Sequence, residues 1–188
     1  MKTLNKGQNI DFIIATHEDD AGALSRVSAI SSSFPLARII VVDSSSTTYK
    51  SQSRLASTLK TLGTRASYVD CDTPCRYSCY QKAMANLRGD YVAFRTHHKL
   101  MDETLTALGV NTSEPADVFV THPGNETQQS VAGLEAIVFN RSFVEQNNPF
   151  SEPANFDEKK FIDTALGAAR GVSKAVAACG LVFYQSHE

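Results

Sequence analysis

Three short apolar runs do most to limit how this chain can fold: Ile10 to Ala15 (IDFIIA), Ala37 to Val42 (ARIIVV) and Tyr91 to Phe94 (YVAF). They are rich in β-branched and aromatic residues and nearly continuous, with little of the alternation of a strand that has one wet face. Strands of that kind are buried on both sides, as in a parallel sheet covered by helices.

Between the runs the pattern changes to helical spacing. Leu24, Val27, Ile30 and Phe34 follow Asp19 and Asp20, either of which can cap a helix, and Pro35 stops it. Leu55, Leu59 and Leu62 mark a second helix, closed by Gly63. Ser67 to Val69 predicts a short third strand. Asp72-Thr73-Pro74 predicts a helix start with Pro at the first helical position, a buried stripe of Tyr77, Tyr80, Met84 and Leu87, and Gly89 as the stop. The β-α-β-α order with right-handed crossovers leaves few topologies besides a mostly parallel, Rossmann-type α/β sheet flanked by helices.

The second half is less regular. Residues 102–110 predict a short helix, 117–121 (DVFVT) a strand, 122–131 a polar loop over the site, and 134–139 (LEAIVF) another strand. A loop with two prolines spans 147–155. The helix after it turns Phe161, Ile162, Ala165, Leu166 and Ala169 inward and ends at Gly171, and 181–184 (LVFY) closes the set as a strand. No repeat or linker divides the 188 residues, so a single domain over 1–188 is expected.

Composition narrows the function classes. Hydrophobic residues at 42% and charged residues at 20% argue against disorder. A net charge of -2 gives no electrostatic reason for avid nucleic-acid binding. The apolar run Phe12 to Ala15 near the N-terminus is too short for a signal-peptide core or a membrane span, so a soluble, cytoplasmic protein is expected. Cys71, Cys75 and Cys79 are spaced four apart, which on a helix would share a face; Cys179 stands alone. That spacing matches no common zinc pattern, and reduced, partly buried thiols are the expectation.

Polar clusters follow the apolar runs: Thr16-His17-Glu18, Asp43 to Ser46, and Thr96-His97-His98. Strand ends of a parallel sheet share one edge, and ligands bind open α/β sheets at that carboxyl edge. The three clusters should therefore converge on one crevice.

These residues carry a resemblance. FIIATHEDDAGALSRVSAI, ARIIVVDSSST and CYQKAMANLRGDYVAFRTHHKLMDETL resemble the nucleotide-sugar-binding half of glycosyltransferase family 2, which has the GT-A fold. AIVFNRSFVEQNNPFSE is similar to that family's arginine-aromatic segment, and NFDEKKFIDTALGAARGV with LVFYQSH resembles its acidic catalytic helix and closing strand. The resemblance implies a nucleotide-sugar half over 1–101 and an acceptor and catalytic half over 102–188. It implies sugar transfer from a nucleotide-diphosphate donor to an acceptor hydroxyl by inverting displacement. It places Thr16, His17, Glu18, Asp43, Ser44, Ser45, Gln81, Thr96 and His97 against the donor. Asp157 and Glu158 stand at the general-base position, with Glu152 a further carboxylate near the acceptor.

The chain also departs from that family. Asp43 is followed by Ser44 where paired aspartates are usual, and Tyr80-Gln81 stands in place of Arg-Asn. The family's Asp-Xaa-Asp metal motif aligns with Thr96-His97-His98, a degenerate version. A divalent metal, Mn or Mg, would then rest on His98 with His187, completed by phosphate and water. Alternatively Arg95, His97, His98 and Lys99 offset the diphosphate charge with no metal. The missing carboxylates favour a second expectation, a catalytically inactive nucleotide- or carbohydrate-binding module. The resemblance implies a glycan or small-molecule acceptor, recognised with the help of the 122–131 loop, a homodimer partner or a neighbouring protein.

Overall fold

In the computed structural model, which describes residues 10–95, 118–121, 133–134, 137–168 and 181–182, the three apolar runs are neighbouring strands. β1 (Ile10–Thr16) pairs in parallel with β2 (Arg38–Asp43) on one side and β4 (Tyr91–Arg95) on the other. β3 (Ala66–Asp70) adds to β2, also in parallel. Beyond β4 the ladder turns antiparallel through β6 (Ile137–Asn140), β5 (Val118–Thr121) and β7 (Leu181–Val182), giving the order β3-β2-β1-β4-β6-β5-β7. Strands β1 to β5 therefore point one way and β6 and β7 the other. The sheet is mostly parallel, as expected.

Both faces are covered. Phe12 and Ile14 of β1, with Ile39 and Val41 of β2, pack on one side against α1 (Asp20–Ser33) and α3 (Leu55–Thr61). Ile13, Ile40 and Val42 point to the opposite side, under α4 (Arg76–Met84), α5 (Arg141–Asn147) and α6 (Glu158–Ala168). That second layer is unusually aromatic: Tyr80, Phe94, Phe139 and Phe150 are each fully buried, and Tyr80 lies 4.8 Å from Phe94 and 5.4 Å from Phe150, centroid to centroid. Burying a side chain of this size stabilises by about 1.5–3 kcal/mol. Tyr80 is therefore core of the α4 layer, as its helical spacing predicts, whereas Tyr77 and Met84 are only partly buried against it.

At the amino-terminal edge, Asp11 is fully buried, and its carboxylate is held by Arg38 at 3.1 Å and by the amides of Arg88 and Gly89 at 2.5 and 2.7 Å. Gly89 thus serves β1 from the turn before β4, and α4 itself stops earlier, at Met84. Among the described residues no helix is long and apolar enough to cross a membrane.

Several expectations need correction. The polar stretch after β2 contains a helix, α2 (Thr47–Gln52), which has no buried residue and so shows no apolar period. Ser53 separates it from α3: its hydroxyl donates to Asp20 and accepts from the Leu55 amide, so the backbone turns there. Leu62 is 46% exposed, lying past the last turn of α3, while Gly63 takes φ +74 as the helix terminator. α4 begins two residues later than Asp72-Thr73-Pro74 predicts. The Cys75 amide bonds back to Thr73 O at 2.7 Å, and Cys75 becomes the N-cap. The cysteines consequently do not share one helix: Cys71 follows β3, and only Cys79 lies within α4. The 102–110 helix, the 122–131 loop and residues 169–171 lie outside the described residues.

Candidate functional site

The parallel register aligns the carboxyl ends of the first strands. Thr16 of β1 is the partner of Asp43 of β2, which in turn is the partner of Asp70 of β3. The turns that leave these strands are interlocked. The Ser44 amide and hydroxyl both donate to Thr16 O, at 3.0 and 3.1 Å. The Glu18 amide donates to Ser45 Oγ at 2.6 Å, and Ser46 Oγ donates to Glu18 Oε1 at 2.7 Å. Glu18 sits at φ +50, a left-handed conformation disfavoured for a residue with a Cβ. These two bonds hold it there. His17 Nδ1 donates to Ser44 O at 2.9 Å.

Asp43 lies beneath this surface at 1% exposure, with Ser44 and Ser45 also buried. Its Oδ1 accepts from the Ser45 amide at 2.8 Å and the Ser45 hydroxyl at 2.5 Å, and its Oδ2 accepts from Tyr68 OH at 2.9 Å. Three of about four lone-pair directions are thus taken, leaving one on Oδ2. Burial and the Asp43 carboxylate push the Tyr68 phenol above its ordinary value, so it stays a donor. The groups that face solvent are His17, Glu18 and Ser46. Lys50 of α2 pins the neighbouring corner, 2.6 Å from Asp70 and 3.1 Å from Cys71 O. Burial opposes its charge, but Asp70 outweighs that and raises the ammonium.

Lys50, Tyr68 and Asp70 are not announced by the sequence. Lys50 sits on a helix with no apolar period, and Tyr68 reads simply as a strand residue. A tyrosine two residues from the end of a strand paired with β2 was the one signal available for it.

The acidic pair at the start of α6 is also resolved. Asp157 Oδ1 accepts from the Lys160 amide at 2.9 Å and caps the helix. Asn155 lies before the cap and ends the 3-10 turn Pro153–Asn155. Glu158 instead joins three segments. Its Oε1 accepts from the Leu134 amide at 2.9 Å, and its Oε2 accepts from Tyr77 OH at 2.7 Å and from Arg76 at 2.8 Å. Gly133, at φ +78, leaves the room this needs, since a Cβ there would meet Glu158 Oε1 at 2.8 Å. Gln81 faces another loop, donating to Ser151 O at 3.4 Å. Between α5, the 149–156 loop and α6 lies a cleft of about 570 Å³ lined by Asp157 and Glu152.

Cys71, Cys75 and Cys79 are free thiols, the first and last buried. Burial pushes Cys79 up to about 12. Cys75 is also opposed by burial, yet the amides of Ser78 and Tyr77 outweigh it and lower its thiol. Thr96, His97, His98 and His187 lie outside the described residues. Among the described residues no group of three or more His, Cys, Asp or Glu side chains is arranged to hold a metal ion.

No protein-family model matches the chain, and no curated protein does either. Solved structures share its fold. The bifunctional IspDF from Campylobacter jejuni aligns with a TM-score of 0.50 at 12% identity, covering 85% of this chain and 47% of that one. The mannosyltransferase PcManGT from Pyrobaculum calidifontis, in complex with GDP-Man and Mn2+, aligns with a TM-score of 0.53 at 15% identity, covering 79% and 49%. Glucosyl-3-phosphoglycerate synthase from Mycobacterium tuberculosis aligns with a TM-score of 0.49 at 15% identity, covering 73% and 57%. The chain spans about half the length of the solved structures it matches. At such identities the likeness concerns the fold alone: a GT-A-like α/β domain with a mostly parallel sheet flanked by helices.

Proposed function

We propose that the chain transfers a sugar from a nucleotide-diphosphate donor, held at the carboxyl edge of β1 and β2, to an acceptor hydroxyl by inverting displacement. The observation that carries this reading is the pair of interlocked turns after those strands, built over a buried Asp43 with one acceptor direction left open and presenting His17, Glu18 and Ser46 to solvent. Rigid polar turns at a parallel sheet's carboxyl edge are where ligands bind such folds. A similarly folded mannosyltransferase holds GDP-Man and Mn2+.

In this reading Asp43 and Tyr68 set the turn, and the open direction on Asp43 Oδ2 takes a base or ribose donor. Thr16, Ser44 and Ser45 complete the cradle, and Gln81, Thr96 and His97 extend it. Asp157 or Glu158 takes the acceptor's hydroxyl proton as the new carbon–oxygen bond forms. The bond from the sugar to the phosphate oxygen breaks, and the nucleoside diphosphate leaves with the electron pair. Asp157 is the better placed of the two, because it keeps an oxygen that caps nothing while both oxygens of Glu158 are engaged.

A divalent ion, Mn or Mg, would neutralise the diphosphate when bound. The described residues do not form such a site by themselves, and the nominated His98 and His187 lie beyond them, so each step above is assigned to this chain's own groups. A cytoplasmic setting and acceptor recognition shared with a homodimer partner belong to the same proposal.

One observation favours a second reading, a binding module without turnover: both candidate bases already have structural partners. Release of nucleoside diphosphate from a panel of nucleotide sugars, with NMR of the new linkage, separates the two. Turnover with inverted anomeric configuration is expected. Retained configuration rejects direct displacement, and donor binding without turnover establishes the second reading.

A further inference from the structure

The cleft between α5 and α6 shares no lining residue with the turns after β1 and β2. We infer that it is a second ligand site, built for an uncharged, hydroxyl-rich ring of the size of a monosaccharide unit. Calling that ring the acceptor rests on the transferase reading; the site itself does not.

Its volume, about 570 Å³, falls within the range of about 300–1,000 Å³ typical of small-molecule sites. One side is apolar and fixed. Phe143, Phe156 and Phe161 line it, with Phe156 and Phe161 5.7 Å apart and both locked against the buried Phe150 at 4.9 and 6.4 Å. Rings held this way are a preformed platform for the carbon–hydrogen face of a sugar.

The rim is polar and adds up to net negative charge. Glu152 and Asp157 contribute carboxylates, and Lys160 is the one ammonium among the lining residues. Asp157 spends Oδ1 on the α6 cap and retains Oδ2 for a ligand hydroxyl. Two carboxylates against one ammonium welcome hydroxyl donors and repel phosphate or carboxylate groups. The same balance sets the cleft apart from any site for the diphosphate of a donor. Gln81 of α4 donates to Ser151 O in the cleft's outer loop.

Saturation-transfer NMR on the whole chain tests this, using methyl α-glucoside, methyl α-galactoside and methyl α-mannoside, each beside the corresponding free sugar 6-phosphate. At least one methyl glycoside should show transfer, and no 6-phosphate should match it. E152Q and D157N keep size and, for Asn, the helix cap, and each should weaken binding about five- to tenfold by removing a charged acceptor. T164W, at an exposed lining position, should fill the cleft and abolish transfer. Absence of transfer for all three glycosides, equal binding of a 6-phosphate, or unchanged binding in T164W overturns the inference. Nucleoside diphosphates added to the same samples keep the two readings apart. Glycoside binding without nucleotide binding rejects the donor site and keeps the cleft; nucleotide binding without glycoside binding does the reverse.

Discussion

Glu18 carries the clearest mark of backbone strain among the residues of the two interlocked turns. A non-glycine residue in the left-handed region costs about 1–3 kcal/mol and persists only where its surroundings over-determine it. Here Ser45 and Ser46 do so from the neighbouring turn. Glu18→Gly should therefore leave thermal stability equal or slightly higher, while weakening nucleotide binding about tenfold; denaturant melts and calorimetry read the two effects separately. Asp43 behaves oppositely. Asp43→Ala strands the Ser45 amide, the Ser45 hydroxyl and Tyr68 OH, and leaving even one such group unpaired in a buried place costs about 1–3 kcal/mol. Its loss should be visible in urea melts before any ligand is added. The cysteines give a pH test. Cys79, pushed up to about 12, stays protonated and unreactive, whereas the lowered Cys75 thiol reaches its thiolate at lower pH. Mass spectrometry after brief iodoacetamide treatment at pH 7.5 (about one unit below an ordinary thiol) should find Cys75 alkylated ahead of Cys79. Because the folded Cys79 value exceeds the unfolded one, its contribution to stability is full below about pH 8.5 and is lost as pH rises toward the folded value.

Elements were legible in the sequence where burial imposed a period, and less so where polar bonds decided the outcome. β1, β2 and β4 emerge within a residue of their predicted ends because each is apolar on both faces. α1 starts where Asp19 and Asp20 place it, with Asp19 as the cap. α2 was invisible because it buries nothing, and the delayed start of α4 follows from a Cys75–Thr73 backbone bond that no residue type announces. The meeting of the first two clusters was legible to the same degree: strand ends put Thr16 to Glu18 beside Asp43 to Ser46, but the partners Tyr68 and Lys50 come from elements whose side-chain directions only the fold reveals. Glu158 shows the same limit. Its acidity and position suggested chemistry, and its contacts make it a clasp between α4, α6 and the Gly133–Leu134 segment. Glu158→Ala should cost about 1–3 kcal/mol, reduced by the partial exposure of Arg76, and should increase amide exchange at Leu134.

Among the described residues, one sheet separates two aromatic and aliphatic layers, with the interlocked turns after β1 and β2 at its carboxyl edge. The parallel half, β3-β2-β1-β4, carries the interlocked turns after β1 and β2, and the cleft lies among α5, the 149–156 loop and α6. Under the transferase proposal, the turns after β1 and β2 would hold the charged donor and the cleft the neutral acceptor. That separation also means that the donor reading can be tested without knowing the acceptor. The most direct test is calorimetric titration of the chain with UDP, GDP, CDP and dTDP, each with and without Mn2+, repeated on His17→Ala and Glu18→Ala. The account predicts that one nucleotide binds and that each variant weakens it about tenfold, near 1.4 kcal/mol. Binding that ignores both variants would move the site away from the turns after β1 and β2. No binding by any of the four at about millimolar concentration, an affinity near 4 kcal/mol, would contradict the donor site itself.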